Sequence, residues 1–161
     1  MKPLHINEII NEFLQNPFWN IGKVQAVDEK KYHQFITDFH LPADYMEMMS
    51  MTDGFVLFQA GDYRISDIHW VLECKYNKKY DCGFRDEILD IGYFLGYRLL
   101  LNQKESDSSY LYAGDACLAD EYVCVGTITD FFNGWIETKG EELPFWPVEG
   151  QTKYNFQAEG W

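Results

Sequence analysis

The stretch Leu41-Pro42-Ala43-Asp44-Tyr45-Met46-Glu47-Met48-Met49-Ser50-Met51-Thr52-Asp53-Gly54 carries both ends of one helix. Pro42 suits the first helical position, where an N–H would have no partner and a fixed φ is already helical. Asp44 sets a negative charge in the first turn, against the positive end of the helix dipole. Tyr45, Met48 and Met49 fall on one face at i, i+3 and i+4, and Gly54 stands where a left-handed residue would end the helix. Asp53 and Gly54 are therefore assigned to helix termination before any binding role. Phe55-Val56-Leu57-Phe58 follows directly and reads as a short buried strand.

Outward from this unit the pattern is helical on the N-terminal side. Residues 4–15 place Ile6, Ile9, Ile10, Phe13 and Leu14 on one stripe, and Asn16-Pro17 stops the helix. A second helix is expected from an N-cap at Asp28, with Tyr32, Phe35, Ile36 and Phe39 facing inward. On the C-terminal side Gly61-Asp62 reads as a turn. Ser66 is expected to cap a helix that carries Ile68, Val71, Leu72 and Tyr76 on one side.

Strand patterns then dominate. Ile88–Ile91 and Tyr97–Leu101 flank Gly92-Tyr93-Phe94-Leu95-Gly96, which reads as a turn. Tyr110–Tyr112 and Tyr122–Val125 follow, separated by polar loops. A last helix begins near Thr127, with Asp130 completing a partial capping box, and buries Ile128, Phe131, Phe132 and Trp135. Strands that bunch together, joined by short loops, predict an α+β single domain. Its sheet should be small and mostly antiparallel or mixed, with helices packed mainly on one face and part of the other left for a partner. The tail, residues 143–161, holds Phe145, Trp146, Tyr154, Phe156 and Trp161. It is expected to fold back over the domain as cover or as an added edge strand.

At 161 residues with 47 % hydrophobic and 17 % aromatic content, the chain can bury a real core. No apolar run spans a bilayer and the N-terminus shows no signal-peptide core, so a cytoplasmic protein with no membrane partner is expected. Cys74, Cys82, Cys117 and Cys124 form no C-x-x-C pair and lie at no zinc-binding spacing from histidine, so idle thiols are expected and no metal.

Charge is more telling. The net formal charge is −13; residues 1–104 contribute −4 and residues 105–161 contribute −9, with Lys139 and Lys153 the only bases of that second segment. Such a chain repels phosphate backbones and anionic lipid and attracts basic proteins. Reactive groups do not converge. His5, His33, His40 and His69 are scattered, and there is no G-x-S-x-G elbow, phosphate-binding glycine loop or H-E-x-x-H. Asp86/Glu87 and Glu141/Glu142 are adjacent in sequence, with nothing to make them face each other as an acid and base would. Asp115 to Glu121 lacks the alternating ligands of a calcium loop. No enzyme and no cofactor are expected.

The order Leu41-Pro42, Asp44-Tyr45, helix, Asp53-Gly54 resembles the signature of the SUKH superfamily. Ile91-Gly92, Gly96-Tyr97-Arg98-Leu99-Leu100 and Gly126-Thr127-Ile128-Thr129-Asp130-Phe131-Phe132 are similar to its later elements. The likeness covers about residues 28–138, leaving the helix at 4–15 and the tail as additions. Gln34 and Asp38 depart from the glutamate and glycine usual before Leu-Pro. The resemblance implies a mixed sheet with helices mainly on one side. It also implies an immunity protein that binds and occludes a cognate toxin, in this family frequently a nuclease. A nuclease cleft is basic, so carboxylates placed where phosphates would sit can fill it. Asp107, Asp115, Asp120 and Glu121, in expected loops, are the candidate contacts, with Tyr110 and Tyr112 as exposed anchors. The alternative is a non-enzymatic regulatory or scaffold domain, as in the fungal branch of the family. A third reading is a hydrolase or sugar-binding protein that uses the aromatic tail.

Overall fold

The computed structural model describes residues 2–22, 24–77, 79–80, 83–105, 108–115, 120–142 and 151–159. Its helices are α1 (Ile6–Gln15), α2 (Glu29–Asp38), α3 (Ala43–Met51), α4 (Ile68–Tyr76) and α5 (Ile128–Glu137). Its strands are β1 (Phe55–Val56), β2 (Tyr63–Ile65), β3 (Ile88–Phe94), β4 (Tyr97–Asn102), β5 (Leu111–Asp115) and β6 (Val123–Gly126). The strands form one antiparallel sheet in sequential order. This is the expected α+β domain. One face is dry: Leu89, Ile91, Phe94, Leu99 and Leu101 meet the apolar stripes of α1, α3 and α5.

Local signals explain most boundaries. The Asp28 carboxylate accepts from the Lys31 N–H at 3.2 Å and so starts α2. At α5, Thr127 and Asp130 form the reciprocal box: the Asp130 N–H donates to Thr127 Oγ1 at 3.0 Å and the Thr127 N–H to Asp130 Oδ2 at 3.1 Å. All four side chains expected inward from α5 are buried.

Asp44 joins the two halves of the helical layer. Its Oδ1 accepts from the Tyr110 hydroxyl at 2.7 Å, and its Oδ2 from both the Thr129 hydroxyl at 2.7 Å and the Thr129 N–H at 3.2 Å. The Tyr110 hydroxyl in turn accepts from the Ile128 N–H at 2.9 Å. One carboxylate thus reaches the open N–H groups of α5 directly and through a tyrosine, at a helix end that favours negative charge. Tyr45 beside it is fully buried, and its hydroxyl has no hydrogen-bond partner among the described residues.

Several expectations are corrected. Pro42 is the N-cap, with extended ψ, and α3 starts one residue later. The helix ends at Met51, before Gly54, so neither Asp53 nor Gly54 terminates it. Asp53 instead accepts from the Ile68 N–H at 2.9 Å, which makes it a second cap of α4 beside the true N-cap, Asp67. Ser66 is buried one position too early for that role. Gly54 has φ 72°, and a Cβ there would lie 2.6 Å from the Asp67 nitrogen and 2.7 Å from the Ile65 oxygen. Gly92 is inside β3, the turn being Leu95-Gly96 alone, and a Cβ on it would lie 2.8 Å from the Arg64 oxygen. Both motif glycines therefore make room for β2, a three-residue strand that the sequence pattern does not announce. The strand expected over Phe55–Phe58 stops at Val56, because Phe58 and Gln59 take positive φ in the turn to β2. Leu14, at the margin of the α1 stripe, and Tyr76, in the last turn of α4, are exposed at 42 % and 69 %.

The sheet's second face carries a smaller apolar cluster of Ile88, Leu100, Tyr112 and Tyr122, closed by Phe156 of the tail. The tail crosses this face. Tyr154 and Tyr122 exchange backbone bonds of 2.7 and 3.1 Å next to β6, and the Arg85 N–H donates to the Phe156 carbonyl at 2.9 Å ahead of β3. The expected fold-back holds for residues 151–159, as a strap with two isolated bridged residues, Tyr154 and Gln157, instead of an edge strand. Phe145, Trp146 and Trp161 lie outside the described residues.

Asp44→Ala should lower stability by about 3 kcal/mol, since it strands a buried hydroxyl and the α5 N-terminus. Tyr45→Phe should leave stability unchanged or raise it by about 1 kcal/mol, because it removes an unpaired buried hydroxyl. Chemical denaturation of the two variants checks this opposition. Phe156→Ala should cost about 3 kcal/mol and speed proteolysis of the tail, read by denaturation and limited digestion.

Candidate functional site

A bulge in β3 builds the most distinctive polar site. Asp90 pairs with Leu100 but Gly92 pairs with Leu99, so one extra residue enters β3 between them. Ile91 is buried on the helix side and Gly92 sits opposite Leu99 on that side as well. The alternation slips by one, and Asp90 and Tyr93 both emerge on the second face. In a regular strand, residues three apart would point to opposite faces.

Tyr93 lies in a row with Arg64 on β2 and Arg98 on β4. The Arg64 guanidinium carbon stands 5.3 Å from the centroid of the Tyr93 ring. Arg98 Nε lies 3.4 Å from Asp90 Oδ2, with both side chains about one-fifth exposed. Trp70 of α4 and Tyr80 pack with tilted rings, their centroids 4.9 Å apart and their planes at 57°. Together with Lys79 these residues line a cavity of about 310 Å³. A second hollow of about 450 Å³ shares Arg64 and Trp70, and is lined by Asp53, Ser66, Asp67 and His69. The two carboxylates of this second hollow are engaged as caps of α4.

Burial pushes the Asp90 carboxyl up to about 6, against the opposing pull of Arg98, Arg64 and the Gly92 N–H. The partial burial of an ion pair is costly unless its geometry compensates, and carboxyls shifted in this way are common at functional sites.

The residues expected to contact a partner divide. Asp115, Asp120 and Glu121 are exposed and flank the same β5–β6 connection at one end of the sheet. Glu121 pairs with Lys153 of the tail at 3.2 Å, an exposed contact worth little. Asp107 lies outside the described residues; the strand ends around it, Leu101 and Leu111, are paired at the opposite end of β4 and β5 from Asp115. Tyr110 and Tyr112 are corrected: both are buried, so neither is an exposed anchor. Tyr110 serves the Asp44 network, and burial with the nearby Asp44 charge raises its hydroxyl pKa. Tyr112 packs against Phe156 and Tyr154, with centroids 4.7 and 5.1 Å away, and burial with Glu105 nearby raises its pKa too. Cys74 and Cys124 are partly buried; Cys82 and Cys117 lie outside the described residues. Among the described residues no three His, Cys, Asp or Glu side chains converge as metal ligands. No helix among them is long and apolar enough to cross a membrane. The cluster around Asp90 had one sequence signal, Gly92 interrupting an apolar strand, which also fits a turn.

Compared with known proteins, the chain matches no family model, no curated protein and no solved structure.

Asp90→Asn should change how stability depends on pH. Between about pH 4 and 6 native Asp90 retains a proton that the unfolded chain has released, so its contribution is largest at low pH and is lost as pH rises through about 6. The variant should gain on the wild type by up to about 3 kcal/mol from pH 4 to 7. Urea titrations across that range measure the difference; a constant offset would contradict the assignment.

Proposed function

We propose that this protein is a SUKH-type immunity protein, which binds a cognate toxin of basic surface, a nuclease, and inhibits it by occlusion. The observation that carries this reading is the hairpin geometry of β5 and β6. It places Asp115 and the adjacent pair Asp120-Glu121, all exposed, on the two sides of one connection. They belong to the segment that contributes −9 of the chain's −13 charge. Three exposed carboxylates at the neighbouring ends of β5 and β6 suit a cleft that holds phosphate. They steer encounter over long range and lose that effect as salt screens them. The α+β sheet with helices on one face agrees with the resemblance that first suggested the class. With Tyr110 and Tyr112 buried, the anchoring contacts fall to other side chains, and the carboxylates carry recognition. The protein acts in the cytoplasm, where an incoming toxin would meet its substrate, and breaks no bond.

The test mixes the purified protein with the toxin encoded by the adjacent gene and follows nuclease activity at increasing salt. One-to-one inhibition that weakens with salt is expected. The combined change Asp115→Lys, Asp120→Lys and Glu121→Lys should weaken it at least tenfold, with the circular dichroism spectrum unchanged. Absence of binding at every ionic strength would end the proposal; tight, salt-insensitive inhibition would end the electrostatic part of it.

A further inference from the structure

We propose that the cavity between α4 and the second face of β2, β3 and β4 is a binding site for a small ligand that joins a flat ring to one carboxylate or phosphate. This goes beyond the toxin-blocking role and involves none of the carboxylates assigned to it.

The distribution of positive charge is the first argument. The chain has three arginines, Arg64, Arg85 and Arg98, in a molecule of net charge −13. Each stands over an aromatic ring on this side of the sheet: Tyr93, Phe156 and Phe84, at 5.3, 5.3 and 5.6 Å. Among the described residues Arg64, Arg98 and Lys79 line the cavity against one carboxylate, Asp90. The described lining is therefore more basic than acidic, in a molecule whose net charge is −13. Partial burial strengthens attraction inside the hollow, whereas acids more than about 8 Å away are screened at physiological ionic strength. An anion that is repelled by the molecule as a whole is held here locally.

Shape is the second argument. Trp70 and Tyr80 form one aromatic wall and Tyr93 another surface, so a planar group meets rings on more than one side. The volume of about 310 Å³ lies at the low end of small-molecule sites, which also join apolar walls to a few convergent polar groups. Arg64 and Arg98 are set by strand register, and Asp90 by the bulge, so the polar groups are preorganised on the rigid part of the fold.

Asp90 gives the site a readable pH response. It faces Arg98 on β4 and Arg64 on β2; Lys79, Tyr80, Tyr93 and Cys74 of α4 share its cavity, and Lys75 and Tyr76 of α4 line a neighbouring hollow with it and Asp86. When ionised it competes with an incoming anion for the two guanidinium groups; when protonated it does not.

Calorimetric titration of the full chain at pH 7 with AMP, adenosine, inorganic phosphate, indole-3-acetate and indole tests this. AMP or indole-3-acetate should bind at least tenfold more tightly than the matching neutral ring or free phosphate, and preference between the two separates phosphate from carboxylate. Arg64→Gln and Lys79→Gln should each weaken the better ligand about tenfold, the loss of one charge-assisted hydrogen bond, without moving the melting temperature of the free protein. Indole-3-acetate affinity should fall as pH rises from 5 to 7.5, and Asp90→Asn should abolish that fall. Failure of both anionic rings to bind at millimolar concentration would overturn the proposal. So would affinities untouched by either basic-residue change, which would put the binding elsewhere.

Discussion

A single carboxylate holds the helical layer to itself. Asp44 stands in the first turn of α3, yet most of its hydrogen bonds go to the start of α5 and to the tyrosine that precedes β5. These three segments are far apart in the chain, so the network fixes long-range geometry that propensity cannot. Removing the acid would strand donors inside the protein, a larger penalty than the modest net gain of making such bonds. The Leu41–Tyr45 motif is thus accounted for by architecture: Leu41 and Tyr45 fill the core and Asp44 ties two helix starts together.

With one face of the sheet committed to that layer, the second face is free to be polar, and the β3 bulge makes it so. One inserted residue turns Asp90 and Tyr93 to the same side and lets Arg64 and Arg98 flank them. The strands toward β6 remain apolar on this face and are covered by Phe156. The second face is therefore divided. Its aromatic half is strapped by the tail and its charged half borders a cavity beneath α4.

What could be read from sequence was what depends on neighbours within a turn or two. The Thr127–Asp130 box, the Asp28 cap and the stripes of α1 and α5 are local, and they appear as expected. Position 14 fails because a stripe's margin depends on how the helix is rolled against α3 and α5. β2 was invisible because three residues give no periodicity, and its existence rests on pairing with β1 and β3. The two glycines were noticed for the wrong reason. Chain reversal and close approach both demand a missing Cβ, and only the position of β2 separates them. Tyr110 and Tyr112 were misplaced because a polar tip suggests exposure in a loop-rich stretch. One tip is satisfied by Asp44, and the other ring is covered by a tail more than forty residues away. The acids near β5 and β6 are legible as exposed because they sit in a polar stretch between two apolar strands.

The segregation of charge is the property that composition hides. A value of −13 describes the whole chain and suggests a uniformly acidic surface. The fold leaves exposed carboxylates on many elements, the ends of β5 and β6 among them, and gathers the three arginines over rings on the second face. Guanidinium groups tolerate this placement because they are weakly hydrated and stack on aromatic faces, where an ammonium group would hold its water. The carboxylates that flank the β5–β6 connection stay in solvent, whereas Asp44 and Asp90 leave it where hydroxyl, N–H or guanidinium donors receive them. A chain with few arginines and many aromatic rings therefore gathers its guanidinium groups into one ring-lined region while its exposed acids stay hydrated.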